Sequence, residues 1–191
     1  MSPHIVLREL GLPFKLDLVD RKTRISADGV DFNQLNPKGY VPTIELDDGQ
    51  VLTEGAAIVQ HLADLKPEAK LLGRPGSIER ARAVEWLTYV SSELHKSFGP
   101  LFGPKTPEEY KAILREALAN KYKWLDSALA GKNYLLGDDF SVADAYLYTI
   151  LRWSKSAELD VANFPNLKAY YDRVDARPAV AAALAAEKPK A

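Results

Sequence analysis

Two short stretches of this 191-residue chain place polar side chains where they could bind or activate a small molecule. In the first, Glu54 and Gly55 follow an apolar run typical of a strand and open a helical pattern. The first backbone N–H groups of a helix have no acceptor within it, and with the helix dipole they attract a carboxylate. A helix that merely begins with a dipole-favoured glutamate has the same pattern. An anion-binding corner and a plain helix start therefore both stay open.

The second stretch, Glu93-Leu94-His95-Lys96, lies on a predicted long helix. His95 follows Leu94, which we expect to face inward. Histidine can donate or accept a proton near neutral pH, but a lone helical histidine is more often a structural residue with satisfied hydrogen bonds. Lys96 would either add positive potential beside the imidazole or be solvated. These residues alone leave a catalytic and a structural role open.

Composition and charge exclude several classes of function. The chain has 25 basic and 26 acidic residues, interspersed, and a net charge of −1, so no basic surface is expected to attract nucleic acid. It has no cysteine, which excludes disulfides, thiolate metal sites and a cysteine nucleophile within this chain. No metal-ligand cluster, signal peptide or run long enough to span a membrane is apparent. A cytoplasmic protein fits this composition best.

The elements expected to position these residues form two groups, an α/β group over 1–66 and an all-helical group over 77–191. The stretch 67–76 is rich in Pro, Gly and charged residues, which is typical of a linker between two domains. In chain order the first group predicts a helix between Ser2 and Gly11, a strand over Phe14–Leu18, a hairpin with strands 41–46 and 51–52, and a helix from Thr53 to Pro67 with Ile58, Leu62 and Leu65 on one face.

The second group predicts about five helices. These are a long helix from about Ser77 to Phe98 that ends at Gly99-Pro100, one that begins at a capping box in Thr106-Pro107-Glu108-Glu109, an apolar one from Ser141 to Trp153, and two shorter ones over 165–176 and 178–186. Ser141 and Asp144 form a reciprocal cap in this interpretation, and we expect loss of Asp144 to impair folding.

Five segments in this order and spacing closely resemble the bacterial beta-class glutathione transferases. They are Asn36-Pro37-Lys38-Gly39-Tyr40-Val41-Pro42, Leu52-Thr53-Glu54-Gly55, Glu85-Trp86-Leu87, Glu93-Leu94-His95-Lys96 and Ser141-Val142-Ala143-Asp144-Ala145-Tyr146. The similarity runs from Ser2 to the C-terminal helices. It implies a thioredoxin-like domain that binds glutathione, a helical domain that shapes the site for a hydrophobic electrophile, and a homodimer. Glutathione would be a co-substrate, with no other cofactor and no metal.

The resemblance also assigns roles residue by residue. It implies a cis peptide bond before Pro42 and pairing of the Val41 backbone with the cysteine of glutathione, whereas the proline alone would equally suit a sheet edge. It gives Glu54 the ammonium and the N–H groups at Gly55 the carboxylate of the γ-glutamyl end, although Gly55 lacks the hydroxyl common there. His95 would face the glutathione sulfur.

Three further basic and acidic residues follow from the same resemblance. Arg24 falls where the class usually has a lysine on the glycyl carboxylate, and an arginine can bind a carboxylate through two hydrogen bonds. Lys22 is an equal candidate for that contact. Lys96 would add positive potential near the sulfur. Glu93 resembles a residue that reaches the glutathione of the neighbouring subunit.

The chain opens on a helix, whereas the family first has a strand and a Pro-Gly-x-Cys-type loop. We favour a start assigned to an internal codon over a shortened variant, and Ser2 does not inherit the role of that cysteine. Conjugation uses the thiolate of glutathione itself, so it needs no protein thiol, in contrast to mixed-disulfide chemistry. The leading hypothesis is a glutathione transferase. The alternative is a non-catalytic module of the same fold that binds hydrophobic ligands or a protein partner.

Overall fold

The computed structural model describes residues 1–20 and 22–188. Their helices are α1 (Ser2–Leu10), α2 (Phe32–Leu35), α3 (Gly55–Asp64), α4 (Ile78–Tyr89), a π-helical turn (Val90–His95), α5 (Lys96–Phe102), α6 (Glu108–Ala128), α7 (Val142–Leu151), α8 (Pro165–Asp175) and α9 (Pro178–Ala186). The strands are β1 (Thr43–Glu45) and β2 (Val51–Thr53), and short 3-10 helices occupy Pro67–Ala69, Lys155–Ala157 and Val161–Asn163.

The predicted hairpin is present, although β1 is shorter than predicted and β2 extends one residue further, to Thr53. β1 and β2 are antiparallel, and Thr43 pairs with Thr53 while Glu45 pairs with Val51. The backbone N–H of Leu46 donates to the Gln50 carbonyl across the turn at 2.8 Å. The hairpin carries the chain from the loop before β1 directly to the start of α3.

The prediction of a strand over Phe14–Leu18 is wrong. In the described chain this segment contributes one backbone hydrogen bond to a neighbour, from Ala27 N–H to the Leu18 carbonyl, and forms no ladder. Alternating side chains fit a strand, but only hydrogen bonds to an adjacent strand create one. Phe14 instead packs at the end of α1, 5.5 Å from the Arg8 guanidinium and 5.1 Å from the His4 ring.

Helix α7 lies at the centre of the core. Nine of its ten residues are buried, and it contacts α1, α3, α4 and α8. Ile5, Val6 and Leu10 of α1 are at most 1% exposed and belong to the same hydrophobic cluster. Leu71, inside the predicted linker, is buried there too, and its carbonyl accepts from Val142 N–H at 3.0 Å. The two predicted groups therefore share one core, and the boundaries 1–66, 67–76 and 77–191 stay a prediction.

The cap at the start of α7 is confirmed. The Asp144 side chain is fully buried, and its carboxylate accepts from Ser141 N–H at 2.8 Å, from Ser141 Oγ at 2.6 Å and from Leu135 N–H at 2.9 Å. The bonds to Ser141 fix the first turn of the helix. The bond to Leu135 ties the preceding loop to it as well.

Two predicted helix details are corrected. Pro107 has a ψ of 143°, so α6 begins at Glu108, and no side-chain cap bond forms from the predicted Thr106 box. Glu108 and Glu109 still place negative charge in the first turn, which the helix dipole favours. Leu65, predicted on the buried face of α3, is 56% exposed because the helix ends at Asp64.

The predicted break at Gly99-Pro100 does not occur. α4 continues through the π-helical turn at Val90–His95 into α5, which contains Pro100 and ends at Phe102. Proline has a helical φ, but it removes one N–H bond and its ring crowds the carbonyl four residues earlier. Here the helix ends two residues after Pro100. The π turn inserts an additional residue into the helix. It lies in the predicted segment of Glu93 and His95. Further along the chain, α7 ends at Leu151, two residues before the predicted Trp153.

Candidate functional site

The loop before β1 is held in shape by one buried side chain, Asn36, which is 2% exposed. Its Nδ2 donates to the Tyr40 carbonyl at 2.8 Å and to Thr43 Oγ1 at 3.1 Å, and its Oδ1 accepts from Lys38 N–H at 3.2 Å. No role of its own was predicted for Asn36 from the sequence. An asparagine just before a Pro-Lys-Gly turn was the available signal, because asparagine often bonds the backbone of such turns.

This loop presents Val41 and Pro42 next to the start of α3. The peptide bond between them is cis, as the resemblance implied, and the Val41 side chain is 57% exposed. A Cβ on Gly55 would lie 3.5 Å from Pro42 Cγ and 3.8 Å from Ser2 Oγ. The structure therefore brings together the loop and the N-terminal ends of α1 and α3.

Glu54 precedes α3 with a φ of +69°, a conformation that costs a non-glycine residue about 1 kcal/mol or more. Its side chain is exposed, and Oε1 accepts from Lys38 Nζ at 2.8 Å, while the same ammonium donates to Thr53 Oγ1 at 2.8 Å. Ala57 N–H makes the first hydrogen bond back to the Glu54 carbonyl, which leaves the N–H groups before it without an intrahelical acceptor. Lys38 was missed as a site residue, although it lies within a segment used for the resemblance.

Arg24 supports the same loop from the other side. It is half-buried, has a φ of +62°, and its Nη1 donates to the Gly39 carbonyl at 2.8 Å. Lys22 is exposed, and its backbone N–H donates to Asp20 Oδ1. Which of the two basic side chains reaches the glycyl carboxylate of glutathione stays a prediction.

His95, at the end of the π turn, is half-buried and paired with α7. Its Nδ1 lies 2.8 Å from the Tyr146 hydroxyl, and the Trp153 ring packs against it at 4.8 Å between centroids. Burial and, after it, the positive charge of Lys96 lower the pKa of His95 below the usual 6.5. The imidazole is therefore neutral at pH 7.

Tyr146 connects His95 to the corner at Glu54. Its side chain is 6% exposed, and burial, followed by the negative charge of Glu54, raises the pKa of its phenol to about 12. Helix α3, which Glu54 precedes, packs against α7, which carries Tyr146. The Glu54 corner and the His95–Tyr146 pair therefore lie on adjoining elements of the fold.

Glu93 does not join this group within the chain. Its carboxylate pairs with Lys121 Nζ at 3.0 Å, and that ammonium also donates to the Glu93 carbonyl at 2.7 Å. After burial, the charge of Glu93 is the second cause that raises the pKa of Tyr89 on α4. The predicted contact of Glu93 with a neighbouring subunit stays a prediction. Lys96 is exposed and has no ion pair within the described residues.

Two surface depressions lie away from the predicted site residues. One, of about 600 Å³, is lined by residues of α1, of 11–14 and of α9. The other, of about 240 Å³, has a lining that includes Lys132, Asn133 and Arg173. Across residues 1–20 and 22–188, no group of three histidine or acidic side chains is arranged to hold a metal ion. No helix in that part of the chain has the length and apolar character to cross a membrane.

A titration of the free protein would test the environment of His95. In a ¹H–¹⁵N spectrum of the imidazoles, we expect the midpoint of His95 below 6.5 and expect Lys96→Gln to raise it, because that substitution removes one of the two causes of the shift. A lowered folded-state pKa also means that protonation favours unfolding, so His95 reduces stability as the pH falls below 6.5. The signals of His4 and His61, unchanged by the substitution, serve as internal references. A midpoint at or above 6.5 would contradict the described burial.

Comparison with known proteins identifies the family. The family profile "Glutathione S-transferase, N-terminal domain" matches residues 2–65, and "Glutathione S-transferase, C-terminal domain" matches 84–178. The chain is 44% identical to glutathione S-transferase GstA of Escherichia coli O157:H7 over 187 residues, 98% of this chain and 93% of that protein.

Two solved structures are close in sequence and fold. A sphingomonad glutathione S-transferase complexed with glutathione is 43% identical with a TM-score of 0.95, covering 99% of this chain and 94% of that one. The bacterial beta-class glutathione S-transferase of Sphingomonas chungbukensis is 44% identical with a TM-score of 0.93, covering 97% and 92%. Similarity at this level, over nearly the whole of each chain, includes both the Glu54 corner and the helical core. The chain therefore belongs to the glutathione S-transferase family, in its bacterial beta class.

Proposed function

We propose that the protein conjugates the thiolate of glutathione to hydrophobic electrophiles. The observation that carries this proposal is the packing of α3, which the Glu54 corner precedes, against α7, which carries the hydrogen bond from Tyr146 to His95. One group is suited to the charged end of a peptide and the other to a sulfur near neutral pH. Relatives at 43–44% identity are named glutathione S-transferases, and one was solved with glutathione bound.

The binding of glutathione follows from the polar groups at this corner. The N–H groups that begin α3 at Gly55 attract the γ-glutamyl carboxylate, and Glu54 accepts from the neighbouring ammonium. The exposed Val41 backbone pairs with the cysteine residue of the peptide. When glutathione binds, the Lys38 ammonium either keeps its ion pair with the Glu54 carboxylate, which then also accepts from the ligand, or loses that ion pair. Arg24 or Lys22 binds the glycyl carboxylate at the other end.

The chemical step needs a stabilised thiolate. Positive charge and hydrogen-bond donors near a thiol favour its ionised form. Here Lys96 supplies charge and His95 supplies the imidazole, which is neutral at pH 7 because burial lowers its pKa. The thiolate attacks the electrophilic carbon, a C–S bond forms, and the leaving group departs with its electron pair or the new carbanion is protonated. The thiol proton is released to solvent before the attack.

The electrophile is proposed to lie against aromatic side chains next to His95. Trp153 packs edge-on against His95 and against Phe98 and Phe102, and Phe102 is 47% exposed. Exposed aromatic faces of this kind bind apolar, flat groups. A hydrophobic electrophile placed here would have its reactive carbon close to the imidazole and to the thiolate.

A conjugation assay distinguishes this function from the alternative, a non-catalytic binding module. A chlorodinitrobenzene and glutathione are mixed with the protein, and thioether formation is followed by absorbance. We expect product to form in proportion to enzyme concentration, and binding of S-methylglutathione by calorimetry. Binding of an apolar dye without turnover or glutathione binding, in a folded sample, would support the module instead.

Neutralising Glu54 is expected to weaken glutathione binding about tenfold. Glu54→Gln removes the charge that accepts from the ligand ammonium, and loss of one charge-assisted hydrogen bond is worth about 1.5 kcal/mol or more. Calorimetry with glutathione measures the change. Glu45→Gln, which neutralises an exposed glutamate on β1, is the matched control and should leave the affinity unchanged. Equal affinities of the two variants for glutathione would show that the charge of Glu54 does not contribute to binding.

We further propose a homodimer in which Glu93 approaches the glutathione of the partner subunit. An aromatic cluster of Trp86, Tyr89 and Trp124 supports this arrangement, because its rings lie within 6.0 Å of each other and Trp124 is 51% exposed. Exposed aromatic clusters are enriched at interfaces. Sedimentation equilibrium tests the proposal, since a particle of one chain mass at micromolar concentration would refute it.

A cytoplasmic location is part of the same proposal. Glutathione is a thiol that reducing compartments keep reduced, and a chain without cysteine has no disulfide that would need an oxidising one. Fractionation of the source cells tests this, and recovery of the protein outside the cytoplasmic fraction would contradict it.

A further inference from the structure

We propose that Tyr146 is a positioning residue that holds His95 in the tautomer with its hydrogen on Nε2. The proposal rests on the proposed glutathione transferase function and adds a role for a residue that neither the sequence analysis nor the family assignment gave one. Its basis is the hydrogen bond of 2.8 Å between His95 Nδ1 and the Tyr146 hydroxyl. That bond joins residues that are 51 positions apart in the chain.

The position of Tyr146 is fixed by α7, independently of its contact with His95. It lies in α7, the most buried helix, two residues after Asp144, whose carboxylate makes three hydrogen bonds to the cap. Its ring stands edge-on to the imidazole at 86°, with centroids 5.9 Å apart. Trp153 contacts the same imidazole at 70°. The ring of His95 is therefore restrained by two aromatic side chains and one hydroxyl.

The direction of the hydrogen bond follows from the partners available. The phenol keeps its proton at neutral pH, because burial and then Glu54 raise its pKa to about 12. Within residues 1–20 and 22–188, His95 is the only hydrogen-bond partner of this hydroxyl. If Nδ1 donated, the phenolic hydrogen would have no acceptor among them, and an unpaired buried donor costs about 1–3 kcal/mol. The hydroxyl therefore donates, and Nδ1 accepts.

This direction decides what His95 offers to a ligand. A neutral imidazole that accepts at Nδ1 carries its hydrogen on Nε2, the opposite ring nitrogen. Nε2 can then donate to a thiolate and stabilise it. In the other tautomer Nε2 would accept the thiol hydrogen bond and leave the sulfur protonated. Tyr146 thus favours the ionised form of bound glutathione through His95, without touching the sulfur itself.

The first test reads the tautomer in the free protein, so it does not depend on glutathione binding. Long-range ¹H–¹⁵N spectra distinguish the two tautomers by the ¹⁵N shifts of Nδ1 and Nε2. At pH 7.5 we expect wild-type His95 to show a protonated Nε2, and Tyr146→Phe to show a mixture of both forms. A protonated Nδ1 in the wild type overturns the proposal, whatever the variant does.

The second test measures the ionisation of the glutathione thiol in the complex. Thiolate absorbance of bound glutathione near 240 nm, followed against pH, gives the pKa of the bound thiol. Tyr146→Phe is expected to raise it by about one unit and to lower kcat/KM about tenfold at pH 6.5, while the affinity for S-methylglutathione, which has no thiol, stays within twofold of wild type. This split separates a positioning role from a general loss of structure.

A tyrosine on the same helix provides the matched control. Tyr148→Phe also removes a buried hydroxyl with one hydrogen bond, in this case to Asp175, outside the site. We expect it to leave the tautomer of His95 and the pKa of the bound thiol unchanged. Equal thiol titrations for wild type and Tyr146→Phe would refute the role of Tyr146. An absence of thiolate in the wild type at every pH would instead refute the proposed function and leave the tautomer result standing.

Discussion

Replacing Asp144 by alanine is expected to lower the free energy of unfolding by about 3–5 kcal/mol, the largest stability effect we expect of a single substitution in this chain. The substitution leaves two backbone N–H groups, of Leu135 and Ser141, without their acceptor. Both residues are at most 4% exposed, so water cannot replace the carboxylate without opening the core. Each buried donor left unpaired costs about 1–3 kcal/mol.

Urea unfolding followed by circular dichroism measures this change. Asp139→Ala removes an exposed aspartate five residues earlier and should change the free energy of unfolding by about 0.5 kcal/mol or less. Ser141→Ala removes only the hydroxyl bond to Asp144 and should cost about 1 kcal/mol. If Asp144→Ala were no more destabilising than Ser141→Ala, the three-bond cap would be an incorrect description of this turn.

Replacing His95 by glutamine is expected to lower kcat/KM for conjugation about a hundredfold, the largest effect on activity that we expect. A hydrogen-bond donor aimed at a reacting anion contributes about 10²–10³-fold to rate, and glutamine keeps a hydrogen-bonding side chain on the same helix without a ring that Tyr146 could orient. Most of the loss should be in kcat, and the pKa of the bound thiol should rise, because the groups proposed to bind the two ends of glutathione lie elsewhere. Steady-state rates at several pH values, with the chlorodinitrobenzene as electrophile, measure it.

His61→Gln is the matched control for that substitution. His61 lies on α3, and no hydrogen bond or ion pair of its side chain is found within the described residues. Its replacement should leave kcat/KM within twofold of wild type. An equal activity of His95→Gln and His61→Gln would show that His95 is the structural histidine of the alternative interpretation.

Local sequence patterns were enough to predict the elements whose signals lie within a few residues of one another. The hairpin around Asp47-Asp48-Gly49, the cap at Ser141 and the helices over 165–176 and 178–186 were predicted because turns, caps and apolar periodicity act over a single turn of chain. The strand over 14–18 failed for the opposite reason. Its existence depends on a neighbouring strand, which the alternation of its own side chains does not reveal.

In the helix through His95, one part follows from local sequence signals and another part does not. Its start at Ile78 follows the local signal of Ser77, whose hydroxyl accepts from Arg80 N–H. Its continuation past Pro100 and the π turn at Val90–His95 do not follow from local propensity, since the residues there suit an ordinary α-helix. The π turn packs against α7, and within it Leu94 is buried and His95 reaches Tyr146.

At the proposed site, the stretches around Glu54 and His95 show which properties the local sequence determines and which the tertiary structure determines. By itself the sequence determined which residue types are present, that Glu54 begins a helix and that His95 lies on one, because these are local properties of the chain. Only the tertiary structure decided their partners: Lys38 for Glu54, Tyr146 for His95 and the Gly39 carbonyl for Arg24. Those contacts join residues 15 to 51 positions apart. They form only when the hydrophobic core brings α1, α3 and the π turn against α7, and so no local pattern encodes them.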